Sequence, residues 1–142
     1  MANDQLISAG TFTILGPGGH LTHMGKGEDI VVLPPDGNAQ QQLWEVKPES
    51  GTYTLRNVAT GYYLGSEGDP NQPTMMIRGS KQPYPWRTAQ GPDGDPDTYL
   101  LAPGASNDGL VLTYSLLRIF PPRVAILPSS EYRDPEWCFR AV

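Results

Sequence analysis

At 142 residues and 38% hydrophobic content the chain matches one domain with material for a single core. Fifteen prolines run from Pro17 to Pro135, and because each removes a backbone donor, an all-helical fold is excluded. Ten basic against fifteen acidic side chains give a net charge of −5, so neither nucleic acid nor a membrane is an expected partner.

The predicted elements begin with Gly10-Thr11-Phe12-Thr13-Ile14, whose period-two alternation puts Phe12 and Ile14 on one buried face of a strand. A short strand follows from His20 to Met24, then the apolar run Ile30-Val31-Val32-Leu33-Pro34, a turn at Asp36-Gly37-Asn38 and the strand Leu43-Trp44-Glu45-Val46. The same order then repeats. Gly51-Thr52-Tyr53-Thr54-Leu55 is followed by Tyr62-Tyr63-Leu64, Met75-Met76-Ile77 and Pro85-Trp86-Arg87-Thr88. Asp97-Thr98-Tyr99-Leu100-Leu101 is followed by a turn at Asn107-Asp108-Gly109, then Leu110 to Tyr114, Val124 to Pro128 and Glu136-Trp137-Cys138-Phe139.

Each unit thus opens on an aromatic residue and closes on a tryptophan 32, 33 or 38 positions later, and all three tryptophans are used this way. Internal repetition with this period and four strands per unit describes either a propeller or a threefold closed sheet. Three blades are too few to close a propeller. The expectation is an all-β fold, a β-trefoil of twelve short strands in three pseudosymmetric repeats, approximately 10–49, 50–92 and 93–142. Phe12, Tyr53, Tyr99 and the three tryptophans are assigned to its core.

Thr11 to Ile14, Glu28 to Pro34, Trp44-Glu45-Val46, Gly51 to Leu55 and Trp137-Cys138-Phe139 resemble the mushroom β-trefoil serine-protease inhibitors of the cospin type, over nearly the whole chain. The resemblance implies a cytosolic fungal defence protein that blocks a digestive serine protease with one surface loop. A second resemblance is to the ricin-B type lectins. Gln42-Leu43-Trp44 matches their Gln-x-Trp signature, and Gly61-Tyr62-Tyr63-Leu64-Gly65 is similar to their mid-repeat strand. Tyr84-Pro85-Trp86 and Pro135-Glu136-Trp137 depart from it by lacking the glutamine.

A trypsin-like pocket has an acidic floor and takes Lys or Arg from an exposed, preorganised loop. The loop that resembles the inhibitory one is Met24-Gly25-Lys26-Gly27-Glu28, with Lys26 as the specificity residue of a reversible inhibitor. Lys26 and Lys47 are the two basic residues among the first 49, which singles Lys26 out. Secondary candidates are Arg118 and Arg123 in Ser115 to Arg123, whose Leu116, Leu117 and Phe120 suit a chymotrypsin-like pocket, and then Lys81 and Tyr84 in Arg78 to Trp86. The alternative function is carbohydrate binding, with Tyr62, Tyr63 or Trp86 stacking on a sugar while a nearby Asp or Asn bonds its hydroxyls. Inhibition of cysteine proteases is a further alternative.

Other chemistries find little support in the sequence. His20 and His23 alternate on one strand and so point to opposite faces, which argues against a shared metal ion. Asp93-Gly94-Asp95-Pro96-Asp97 opens like a calcium loop but lacks its glycine and glutamate and reads as an acidic turn. No Gly-x-Ser-x-Gly occurs and the two histidines sit within four residues, so the expectation is a non-enzyme without cofactor or metal. Cys138 is the single cysteine and reads as a small buried hydrophobe. Met1 to Gly10 has no signal-peptide pattern, so cytoplasmic residence is expected.

Overall fold

The structure is a computed structural model that describes residues 7–36, 39–90, 97–104, 109–129 and 135–142. The turn positions Gly37-Asn38 and Asn107-Asp108 and the acidic segment Asp93 to Pro96 lie outside the described residues. Ten strands are defined among the rest: β1 (Gly10–Gly16), β2 (Gly19–His23), β3 (Ile30–Leu33), β4 (Trp44–Glu49), β5 (Thr52–Asn57), β6 (Trp86–Gln90), β7 (Thr98–Pro103), β8 (Leu110–Tyr114), β9 (Val124–Pro128) and β10 (Trp137–Ala141).

The first and last strand of each repeat build a closed barrel. In spatial order β10, β7, β6, β5, β4 and β1 are hydrogen-bonded neighbours, and a β1–β10 pairing shuts the ring, which removes every free edge from these six strands. The opening aromatic of each repeat lies opposite that repeat's closing tryptophan: Phe12 faces Trp44, Tyr53 faces Trp86 and Tyr99 faces Trp137. Alternation sends these rings inward. All three tryptophans are fully buried, and Phe12, Tyr53 and Tyr99 join Ile14, Leu55, Leu101 and Phe139 in one core cluster.

The middle strands form hairpins that close one end. β2 pairs with β3 and β8 with β9, and backbone bonds lace the three hairpins together. Ile30 N–H donates to Ile77 O (2.8 Å), Thr74 and Ile126 exchange bonds (2.8 and 2.9 Å), and Val32 N–H donates to Pro122 O (2.9 Å). This is the β-trefoil.

Repeat two departs from the expected twelve strands. Its hairpin survives as isolated bridges, Tyr63 to Arg56 and Ser80 and Thr74 to Ile126, and Met75 is 38% exposed. Three prolines (Pro70, Pro73, Pro83) and three glycines (Gly65, Gly68, Gly79) in that stretch remove donors and rigidity that a regular ladder needs.

Candidate ligand cleft

Two clefts occupy corresponding places in repeats one and two. Each is built on a pair of fixed points, a buried leucine on the second strand and the closing tryptophan whose indole N–H bonds that leucine's carbonyl: Trp44 to Leu21 (3.1 Å) and Trp86 to Leu64 (2.9 Å). Residues just after the leucine and just before the tryptophan line the space between. In repeat one these include Thr22, Met24, Gln41 and Gln42, around about 430 Å³. In repeat two they include Ser66, Glu67, Pro83 and Tyr84, around about 310 Å³.

The signature glutamine acts as a clamp on the fold. Gln42 is 3% exposed; its Oε1 accepts the Asp36 N–H (2.9 Å) and its Nε2 donates to Pro34 O (2.9 Å), fixing the Pro34 to Asp36 wall of the first cleft. Gln42 also bonds His20, which opposes the dominant effect of burial in lowering the pKa of that imidazole.

In repeat two Tyr84 stands where Gln42 stands in repeat one, and Gly65 stands where Thr22 does. The exchange is steric. A Cβ on Gly65 would lie 2.3 Å from Tyr84 Cγ, so only glycine leaves room for the ring, which then packs on Trp86 with centroids 5.1 Å apart. Tyr84 is 6% exposed. Its hydroxyl is buried without a partner among the described residues, and desolvation pushes its pKa up to about 12.

The second cleft combines a polar rim with an apolar wall. Glu67 is held in place by accepting the Lys81 N–H through Oε2 (2.9 Å), and Ser80 Oγ donates to Gln82 O (2.8 Å) while accepting the Gln82 N–H (3.1 Å). Tyr84, Pro70, Pro83 and Pro85 supply the apolar surface. Glu67 carries no motif and was not singled out in the sequence; its position three residues after Leu64, matching Met24 after Leu21, is the signal that finds it once the leucine's role is known.

The residues singled out for sugar stacking fare differently. Trp86 is fully buried and cannot stack on a ligand, which corrects that expectation; closing the core is its role. Tyr62 and Tyr63 are half-buried, and Tyr62 packs against His23 at 5.2 Å. His23 itself is inaccessible, bonded through Nδ1 to Thr60 Oγ1 (2.7 Å) and through Nε2 to Arg78 O (3.1 Å), so it ties repeat one to repeat two.

Lys26 is exposed at the corner of a turn closed by Glu28 N–H to Gly25 O (3.0 Å). Gly27 has φ of 82°, the left-handed geometry that the third position of such a turn demands. Met24 is 53% exposed. Arg118 is also exposed, whereas Arg123 is half-buried and paired: its Nε lies 3.3 Å from Asp29 Oδ2, and Arg78 Nε lies 3.3 Å from Asp29 Oδ1. That ion pair occupies Arg123, which is the physical objection to placing it in a protease pocket. Neither Lys26 nor Arg118 is among the residues that line the repeat-two cleft. Cys138 is half-buried on β10, where a fully buried thiol was expected.

No protein-family profile and no curated protein matches the chain. Solved structures do. A ricin B-like lectin of Macrolepiota procera, solved in complex with lactose, superposes with a TM-score of 0.77 at 20% identity, covering 98% of this chain and 100% of the lectin chain. The agglutinin of Rhizoctonia solani gives 0.78 at 19% identity, covering 99% and 100%, and the Polyporus squamosus lectin, bound to a sialylated epitope, gives 0.73 at 18% over 95% of this chain and 50% of its own. These neighbours bear on the fold alone, and none of the three is a cospin-type inhibitor. At such identities the likeness is one of architecture, and together with the closed six-stranded barrel and its three-hairpin cap it makes this chain a β-trefoil.

Proposed function

We propose that the protein is a carbohydrate-binding β-trefoil module and that the repeat-two cleft is its principal site. The observation that carries this reading is the lining of that cleft, where Glu67, Ser66 and Gln82 stand beside the apolar surface of Tyr84 and the prolines. A sugar ring presents the matching chemistry, hydroxyl groups around its edge and a CH-rich face. Carboxylate and amide side chains accept and donate to vicinal hydroxyls, and a charge-assisted bond contributes about 1.5–3 kcal/mol. The role is binding without chemistry on the glycan. The lectin neighbours favour this reading, since one was solved with lactose and another with a sialylated glycan.

The test is a glycan array followed by calorimetric titration of the strongest hit. Glu67→Ala should weaken binding by about tenfold or more, with thermal unfolding unchanged because Glu67 is exposed. Absence of binding to every glycan at millimolar protein would end the proposal.

A second reading, reversible inhibition of a trypsin-like serine protease through Met24 to Glu28, is favoured by one observation: the Gly25–Glu28 bond stiffens the turn that presents Lys26, lowering the ordering entropy an inhibitory loop must lose. Titrating trypsin, chymotrypsin and papain with the protein separates it from the first reading and from cysteine-protease inhibition. Cytoplasmic residence is part of the same proposal and is tested by fractionating the source cells.

A further inference from the structure

The β8–β9 hairpin carries a tip that reverses the apolar-inside pattern of the rest of the chain. Phe120 is 88% exposed, Leu116 76%, and Leu117 and Ile119 41% each. The root of this loop is firmly held. Ser115 N–H donates to Arg123 O (2.9 Å), Val32 N–H donates to Pro122 O (2.9 Å), and Arg123 Nη1 donates to Pro121 O (2.6 Å) while its Nε engages Asp29. A rigid stem thus presents a convex wedge of large apolar side chains, a form that enters a soft apolar phase without first being ordered.

The charge pattern says which phase. From Gly109 to Ser129 the sequence holds Arg118 and Arg123 and no carboxylate, inside a chain of net charge −5. Arg123 is committed to Asp29, so Arg118 is the cation of the tip, set between Leu117 and Ile119. We propose that the tip is a phospholipid-contacting element, in which Leu116 and Phe120 enter the boundary between headgroups and acyl chains and Arg118 meets lipid phosphate.

A second copy of the chain fits the tip less well. A tip-to-cleft contact would be head-to-tail, which builds rings or open chains rather than a closed pair, and it would bring together two bodies of like charge. The body's negative charge also defines the mode of binding. Attraction to anionic lipid is opposed, as the composition implies, so the wedge works by apolar insertion and needs only the phosphate that every phospholipid headgroup carries.

The experiment is vesicle flotation with phosphatidylcholine alone and with phosphatidylserine added, together with sedimentation velocity of the free protein. The expected result is co-flotation with both vesicles, phosphatidylserine changing the partition by less than about threefold. The double variant Leu116→Ser, Phe120→Ser should lower it at least about tenfold. The removed side chains are exposed, so thermal unfolding should be unchanged; the single variant Phe120→Ser serves as a milder second probe. Failure to float, or flotation that the variants leave intact, would overturn the proposal. So would an oligomer of the free protein that the double variant dissociates, which would assign the tip to a second copy.

Discussion

Trp86 donates its indole N–H to the carbonyl of Leu64 at 2.9 Å across 22 residues of sequence, and the other repeats reproduce this bond from Trp44 to Leu21 (3.1 Å) and from Trp137 to Leu112 (3.2 Å). All six residues are buried. In each repeat the bond ties the closing barrel strand to the second strand and satisfies the one polar atom of the largest core side chain, which a buried indole requires.

Trp86→Phe should therefore cost about 1–3 kcal/mol, the penalty for leaving a buried carbonyl unpaired plus lost packing. Trp86→Ala should cost about 3–5 kcal/mol. Urea unfolding of both variants measures the difference, and equal costs would mean that the ring's volume contributes nothing beyond the hydrogen bond.

Tyr84 offers a separable test of stability and binding. Its buried hydroxyl lacks a partner among the described residues, so Tyr84→Phe should raise stability by about 1 kcal/mol while leaving glycan affinity intact, because the ring and not the hydroxyl forms the cleft wall. Gly65→Ala should do the reverse, since the added methyl overlaps the Tyr84 ring and overpacking of this kind costs about 1–3 kcal/mol. Melting curves and glycan titration on the two variants report both effects.

Asp29 joins all three hairpins, since it lies in repeat one and pairs with Arg78 of repeat two and Arg123 of repeat three. Its side chain is 16% exposed, Arg123 is 21% and Arg78 is 69%. Screening leaves the Arg78 pair worth less than about 1 kcal/mol, and the better-shielded Arg123 pair should be worth more. Asp29→Asn and Arg123→Ala should each destabilise more than Arg78→Ala, and a double-mutant cycle should assign the larger coupling to Asp29 with Arg123.

His23 makes stability depend on pH. Arg78 O can only accept, which fixes the proton on Nε2 and leaves Nδ1 to accept from Thr60. Burial lowers the imidazole pKa below its ordinary 6.5, opposed by the Arg78 and Glu28 backbones and by the Glu28 carboxylate. A lowered folded pKa means that the unfolded chain binds more protons, so this contribution is whole above 6.5 and is lost as pH falls through the folded value. His20 shifts in the same direction. Urea unfolding across pH 4–8 should show stability falling below about 6.5, with a shallower slope in His23→Gln; an unchanged slope would remove His23 as the cause.

If Lys26 fills a trypsin-like pocket, Lys26→Ala strands the pocket carboxylate and should weaken inhibition at least about 30-fold. Stability should change by no more than about 0.5 kcal/mol. Inhibition constants of the wild type and Lys26→Ala against trypsin decide this, and no inhibition by the wild type removes the second reading altogether.

The threefold arrangement was legible in the chain because a barrel of paired strands must place an apolar side chain at every second position and a large one at each closure, and Phe12, Tyr53, Tyr99 and the three tryptophans mark those positions directly. The exposed character of Leu116 and Phe120 was legible for a related reason, since Pro121 and Pro122 end any strand that would have buried them. The cleft was not. Glu67 and Tyr84 are 17 residues apart in a stretch without periodicity, and what brings them together is the Trp86–Leu64 bond and the room left by Gly65, both of them long-range contacts. The same holds for Asp29, whose two arginine partners lie 49 and 94 residues away. Alternating hydrophobicity is a local property and can be read from neighbours in sequence; a surface site and an ion pair are set by which loops the closed barrel delivers to one place, and only tertiary structure fixes that.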